Sequence, residues 1–136
     1  YPGIKQLLRD LTKQGVLCLV ATSKPEIYAK KILDYYELSN YFYYIAGANM
    51  DGTRTDKAEV IAYALKQIPA EYSNKKVLMV GDRSHDIIGA KKNGIDCAGV
   101  LFGYGSSEEL EEAGADFVAD SVEAVRNIIL LDTAMN

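Results

Sequence analysis

Short apolar runs alternate with helix-like patterns along this chain, and that alternation most restricts its fold. Val16 to Ala21 (VLCLVA) and Val77 to Val80 (VLMV) read as short buried strands, Cys97 to Leu101 as another strand and Tyr43 to Ala46 as a short one. Asp116 to Ala119 reads as an edge strand. Between them lie helical patterns. Ile4, Leu7, Leu8 and Leu11 recur at helical spacing after Pro2-Gly3, with Gly15 placed to end the turn run. Pro25 suits the first turn of a second helix, on which Tyr28, Ile32, Tyr35 and Tyr36 share one face. Asp56 with Glu59, and Ser106 with Glu109, have capping-box spacing and open two further helices. Ile61, Ala64, Leu65 and Ile68 continue the first of these. Ile87 to Lys92 and the residues around Val122, Val125, Ile128 and Ile129 complete the set. Strands alternating with helices imply βαβ units, right-handed crossovers and a parallel sheet covered on both faces, a three-layer α/β/α arrangement.

Composition narrows the function. A chain of 136 residues suits one core. A net charge of −4, with no run of Lys or Arg, speaks against a nucleic-acid partner. No stretch approaches the roughly 20 apolar residues of a membrane span. The expected location is cytoplasmic, and Cys18 and Cys97, each inside an apolar run, read as buried free thiols. Tyr1-Pro2-Gly3 has neither an initiator Met nor the pattern of a signal peptide, so the chain is expected to be part of a longer polypeptide.

Chemistry-bearing residues fall at the ends of these elements. Val80 runs into Gly81-Asp82-Arg83-Ser84-His85-Asp86, placing two carboxylates four residues apart where open α/β sheets hold ligands. Magnesium takes oxygen ligands of this kind, one or two carboxylates with waters and substrate phosphate. Thr22 ends the first strand, and Lys57 opens the third helix. A hydroxyl and helix-start amides can bind phosphate oxygens, and an ammonium can neutralise phosphate and a carboxylate nucleophile together. Taken singly, Thr22 reads as a helix cap and Lys57 as a solvated lysine. Asp82 and Asp86 read equally well as a turn residue and a helix-start charge. The three sites in this order are more specific than any one.

At this point the chain resembles the haloacid dehalogenase superfamily of phosphohydrolases over nearly all of its length. Val16 to Pro25 resembles the second motif, Arg54-Thr55-Asp56-Lys57 the third, and Val80 to Ile87 with Gly89-Ala90 and Asn93-Gly94-Ile95 the fourth. The texture is closest to phosphoglycolate-phosphatase-like and 5′-nucleotidase-like members. The resemblance implies a magnesium-dependent phosphoaspartyl mechanism on a small phosphorylated metabolite, such as phosphoglycolate or a nucleoside monophosphate. By the same resemblance Thr22, Ser23, Lys24 and Lys57 would hold phosphate. Thr22 and Lys57 would serve catalysis, Asp82 would bind Mg2+, and Asp86 would support the ion through water or hydrogen bonds.

The family's first motif, an apolar strand leading into Asp-x-Asp-x-Thr, has no counterpart here. Asp51-Gly52-Thr53 stands in the wrong place and reads as a turn, and Asp132-Thr133 lacks a second Asp. The resemblance therefore implies that residues 1–136 are the C-terminal part of a core domain whose first strand and cap are absent. A segment of the same or another polypeptide would supply them, and the chain alone would be inactive. A non-catalytic phosphate- or partner-binding module is the alternative. A dinucleotide site is disfavoured, because Glu108 stands where a third glycine would follow Gly103 and Gly105. His85, the only histidine, is expected on an exposed loop, and the tyrosines at 35, 36, 41, 43 and 44 are expected to pack around the second helix and strand.

Overall fold

The computed structural model describes residues 2–134, with side chains as far as Leu131. Tyr1 and the Asp132-Thr133 side chains lie outside the described residues. The chain forms two compact units, one up to Ala70 and one from Glu71, each with its own parallel sheet.

The first unit contains helix α1 (Ile4–Lys13), strand β1 (Leu19–Pro25), helix α2 (Glu26–Tyr35), strand β2 (Tyr44–Ala48) and helix α3 (Lys57–Lys66). Leu7, Leu8 and Leu11 form the buried stripe of α1, and Gly15, at φ +79°, follows its end. β1 and β2 pair in parallel with Leu19 opposite Tyr44 and Ala21 opposite Ala46. The register shifts between Ala21 and Pro25, so the extended segment begins later and runs further than the apolar run predicts. On one face Val60 and Ala64 of α3 pack with Ala46, Leu19, Ala21 and Tyr44. Gly47 alternates to the other face. A Cβ there would lie 2.7 Å from Glu26 Cα and 2.7 Å from the Lys24 carbonyl, so only glycine lets the start of α2 approach so closely.

The second unit contains strand β3 (Leu78–Gly81), helix α4 (Ser84–Lys92), strand β4 (Asp96–Val100), helix α5 (Ser107–Ala113), strand β5 (Phe117–Ala119) and helix α6 (Val122–Ala134). The three strands are parallel in the order β3-β4-β5, with β5 at the edge as expected. Ile87 and Ala90 of α4 and Leu110 of α5 close over Cys97, with Met79, Ile95, Ala113 and Ala115 around them.

The predicted parallel α/β architecture is present in both units. Besides the shifted β1, β3 is half-buried rather than buried, with Val80 37% exposed, and four further local expectations differ from the structure. Helix α4 begins at Ser84, ahead of the apolar pattern, because polar Asp86 is 4% exposed and caps its start. Asp56 stands at the α3 N-cap without a side-chain cap bond. The expected tyrosine packing holds in part. Tyr44 meets Tyr63 edge to face, with their hydroxyls 3.0 Å apart, and Tyr41 accepts from Arg9 Nε. Tyr35 (81% exposed), Tyr36 and Tyr43 face outward, since Ala29 supplies the buried contact of α2. His85 is exposed as expected, though it stands in the first turn of α4 rather than in a loop. No described helix is long and apolar enough to cross a membrane.

Candidate active site

Because β1 and β2 run parallel, their carboxyl ends lie on the same edge of their sheet. Thr22 lies towards that end of β1, and Lys57, the first residue of α3, follows the loop leaving β2. Thr22 Oγ1 accepts from the Lys24 amide at 3.2 Å. A hydroxyl that accepts one bond still has its own hydrogen to donate, so this contact orients Thr22 without consuming its donor. Ser23 and Lys24 are exposed, whereas Thr22 and Lys57 are half-buried.

Arg54 fixes the loop that precedes Lys57, a role no sequence signal marked. It adopts φ +53°, uncommon for a residue with a side chain. Its Nε donates to the Gly47 carbonyl at 2.8 Å and its Nη2 to Asn49 Oδ1 at 3.0 Å. Its guanidinium lies 3.7 Å from the centre of the Tyr63 ring and its Nη2 3.7 Å from Glu26 Oε1. The Asp51-Gly52-Thr53 segment is the turn the sequence predicts. Asp51 Oδ1 accepts from the amide and hydroxyl of Thr53, and Gly52 has φ +87°.

In the second unit, Asp82 and Asp86 are brought together at the carboxyl end of β3. Buried Asp86 Oδ2 accepts from the amides of Asp82 (3.0 Å) and Arg83 (3.2 Å). These bonds tie the loop that carries half-buried Asp82. Gly81 is needed beneath it, since a Cβ there would lie 2.3 Å from Asp86 Cβ. Asp82 Oδ2 accepts from the Tyr104 amide at 2.9 Å. Glu109 Oε2 reaches the start of α4, accepting from the Ser84 amide at 2.7 Å and Arg83 Nε at 2.9 Å. The Arg83 guanidinium and the Ser84 amide hold the Glu109 carboxyl below its ordinary value. The sequence reading assigned Glu109 to a capping box with Ser106. Ser106 Oγ does accept from the Glu109 amide, but the Glu109 carboxylate turns to α4 instead.

Among the described residues no cluster of three or more His, Cys, Asp or Glu side chains is arranged to hold a metal ion. The donors present fit a small hard cation of the magnesium type, which takes one or two carboxylates and keeps its other positions for water and phosphate. Asp82 offers a carboxylate oxygen beyond the one bonded to Tyr104, while Asp86 Oδ2 is committed to two amides. His85 Nε2 lies 3.8 Å from Asp86 Oδ1 with its ring exposed. Cys18 and Cys97 are free thiols, the second buried, and burial pushes both up from the ordinary thiol range.

Each unit is thus a parallel α/β layer with polar side chains at the ends of its elements, Thr22 and Lys57 in the first and Asp82 in the second. Residues 1–100 match the family model described as haloacid dehalogenase-like hydrolase. The chain belongs to the haloacid dehalogenase-like hydrolase family. It is 37% identical over 131 residues to a 5′-nucleotidase of Pseudomonas aeruginosa, an alignment covering 95% of this chain and 58% of that protein. It is 39% identical over 131 residues to the tyrosine-protein kinase PtkA of Mycobacterium tuberculosis, covering 95% of this chain and 44% of that one. The crystal structure of a predicted phosphatase from Clostridium acetobutylicum superimposes with a TM-score of 0.88 at 42% identity, covering 96% of this chain and 60% of the other. The chain thus spans about half the length of the curated relatives it matches.

Proposed function

We propose that this chain is the C-terminal part of the core domain of a magnesium-dependent phosphatase. Its substrate is a small phosphate monoester such as phosphoglycolate or a nucleoside monophosphate, and its setting is the cytoplasm. Membrane and nucleic acid are not its partners. The observation that carries this reading is the support built around Asp82. Its carboxylate is held by the Tyr104 amide, and buried Asp86 fixes the amides of its loop. A solvated turn aspartate has no need of such a setting.

Lys57 at the start of α3 supplies positive charge to the phosphoryl group and its attacking carboxylate. Thr22 donates its hydroxyl to a phosphoryl oxygen, with Ser23 and Lys24 lining the same turn. Asp82 holds the magnesium ion, and Asp86 keeps Asp82 in place. The ion, when bound, stabilises negative charge on the phosphoryl oxygens. The nucleophile comes from a segment outside this sequence, of the same or another polypeptide, that adds the first strand and the cap. Among the described residues β1 pairs along one edge only within its sheet, as does β3 within its own, and such edges accept a further strand.

The test is a phosphatase assay on this chain alone and on the chain supplied with a segment carrying an apolar strand and Asp-x-Asp. Magnesium-dependent hydrolysis of a phosphate monoester is expected only in the second case. Turnover by the chain alone contradicts the division of labour. Phosphate binding without turnover in both supports a binding-only module.

A further inference from the structure

We infer that the turn Gly103-Tyr104-Gly105 is a clamp that sets the orientation of the Asp82 carboxylate through the backbone, with Tyr104 N–H as its donor and the two glycines as the clearance it needs. This rests on the reading of Asp82 as the ion-holding carboxylate.

One hydrogen bond and two glycine clearances converge on that aspartate. The Tyr104 amide donates to Asp82 Oδ2 at 2.9 Å. A Cβ on Gly103 would lie 2.3 Å from Asp82 Cβ and 2.4 Å from its Oδ2. A Cβ on Gly105 would lie 2.1 Å from the Asp82 carbonyl oxygen and 3.4 Å from Glu109 Oε2. Neither glycine is explained by a left-handed backbone, since neither is among the residues of positive φ. What they provide is space, and both use it against the same residue. The Tyr104 ring is 86% exposed, so its side chain does not hold the turn down. The turn is anchored from behind by Glu109, on the helix it leads into, through Arg83 and Ser84 next to Asp82.

A carboxylate has two acceptor oxygens. With Oδ2 directed to the amide, the side chain is fixed in rotation and Oδ1 is the oxygen presented to an ion. Partners of this kind around a metal ligand typically change metal affinity about 10–100-fold when removed. Gly103, Tyr104 and Gly105 are therefore positioning residues that act through Asp82.

The experiment uses Mn2+ as a paramagnetic probe on the isotopically labelled chain supplied with the segment carrying the apolar strand and Asp-x-Asp, read by broadening of amide signals around residue 82. Asp82→Asn is expected to abolish the broadening. Gly103→Ala sets a Cβ 2.3 Å from Asp82 Cβ, an atom that side-chain rotation does not move, so the turn itself must shift, and the folded variant is expected to weaken Mn2+ about 10–100-fold. Tyr104→Pro removes the donor and is expected to weaken binding far more than Tyr104→Ala, which keeps it. The Asp82 carboxyl carbon shift should move in Gly103→Ala and Tyr104→Pro before any metal is added. Independently of these variants, the Tyr104 amide should be protected from exchange in the unaltered chain and lose protection in Asp82→Ala. Folded Gly103→Ala binding Mn2+ as tightly as the unaltered chain overturns the clamp, as does a Tyr104 amide that exchanges alike with and without Asp82. An unaltered chain whose signals near residue 82 ignore Mn2+ instead removes the metal assignment of Asp82, and the clamp falls with it.

Discussion

At the scale of single residues, the site is held by backbone groups and by missing side chains. Asp86 is polar yet buried, and its Oδ2 takes the amides of Asp82 and Arg83 in the turn just before α4. Asp86→Ala should unfold the β3–α4 turn, lowering the urea midpoint by the equivalent of about 1–3 kcal/mol. Gly47→Ala brings a Cβ against the backbone of Lys24 and Glu26, and overpacking of this kind costs about 1–3 kcal/mol. Tyr44 offers a pH signature. Its hydrogen bond with Tyr63, with burial and nearby Glu26 adding to it, raises the phenol from 10.0 to about 12. A folded state that holds its proton more tightly than the unfolded one is favoured below the unfolded value, and that advantage fades as pH rises through the folded one. Stability should therefore decline between about pH 10 and 12, and Tyr44→Phe should flatten that decline in an alkaline denaturation series.

At the scale of elements, the helix starts do the positioning. α4 is capped from two directions, by Asp86 within it and by Glu109 from α5. α5 is itself capped by Ser106 Oγ on the Glu109 amide, so Ser106→Ala should cost about 1 kcal/mol and loosen Glu109. Glu109 and Asp116 are both held below their ordinary values, the first chiefly by Arg83 and the second chiefly by the Cys97 amide. A depressed carboxylate contributes stability above its unfolded value and loses it as pH falls through the folded one. Acid unfolding should thus set in as pH drops below the ordinary carboxylate values of 4.5 and 3.8, and Glu109→Gln should blunt it. The loop leading into α3 is tied by Arg54, and the predicted capping box at Asp56 is not formed. The start of α3 carries Lys57, so Arg54→Ala should disturb the Lys57 loop more than the helix, seen as amide shifts over residues 47–57.

At the scale of the whole molecule, the proposed reaction draws Thr22 and Lys57 from the first unit and Asp82 from the second. In the chain supplied with the missing segment, Lys57→Ala should lower kcat about 100-fold or more, since it removes a charge directed at the reacting group. Asp82→Asn should raise the magnesium concentration needed for half-maximal rate. Lys57→Ala should leave that concentration much less changed, and the split between the two variants separates phosphate handling from ion holding.

The order of strands and helices, the helix-end positions of Lys57 and Ser106, and the placing of Asp82 after an apolar strand were legible from the sequence. Apolar periodicity and the turn chemistry of Gly, Pro and Asp are local properties that repeat along the chain. What the sequence alone could not settle depended on groups far apart along the chain or on backbone geometry. Gly103 and Gly105 looked like a failed nucleotide fingerprint until their clearance against Asp82, some twenty residues earlier, was visible. Arg54 gave no sign of its turned backbone or of its seat on Tyr63. Tyr35 and Tyr36 carried a periodicity that promised burial, yet Ala29 faces the sheet and the rings face solvent. Periodicity reports which residues share a helix face, but which face meets the sheet is decided only when the sheet is in place.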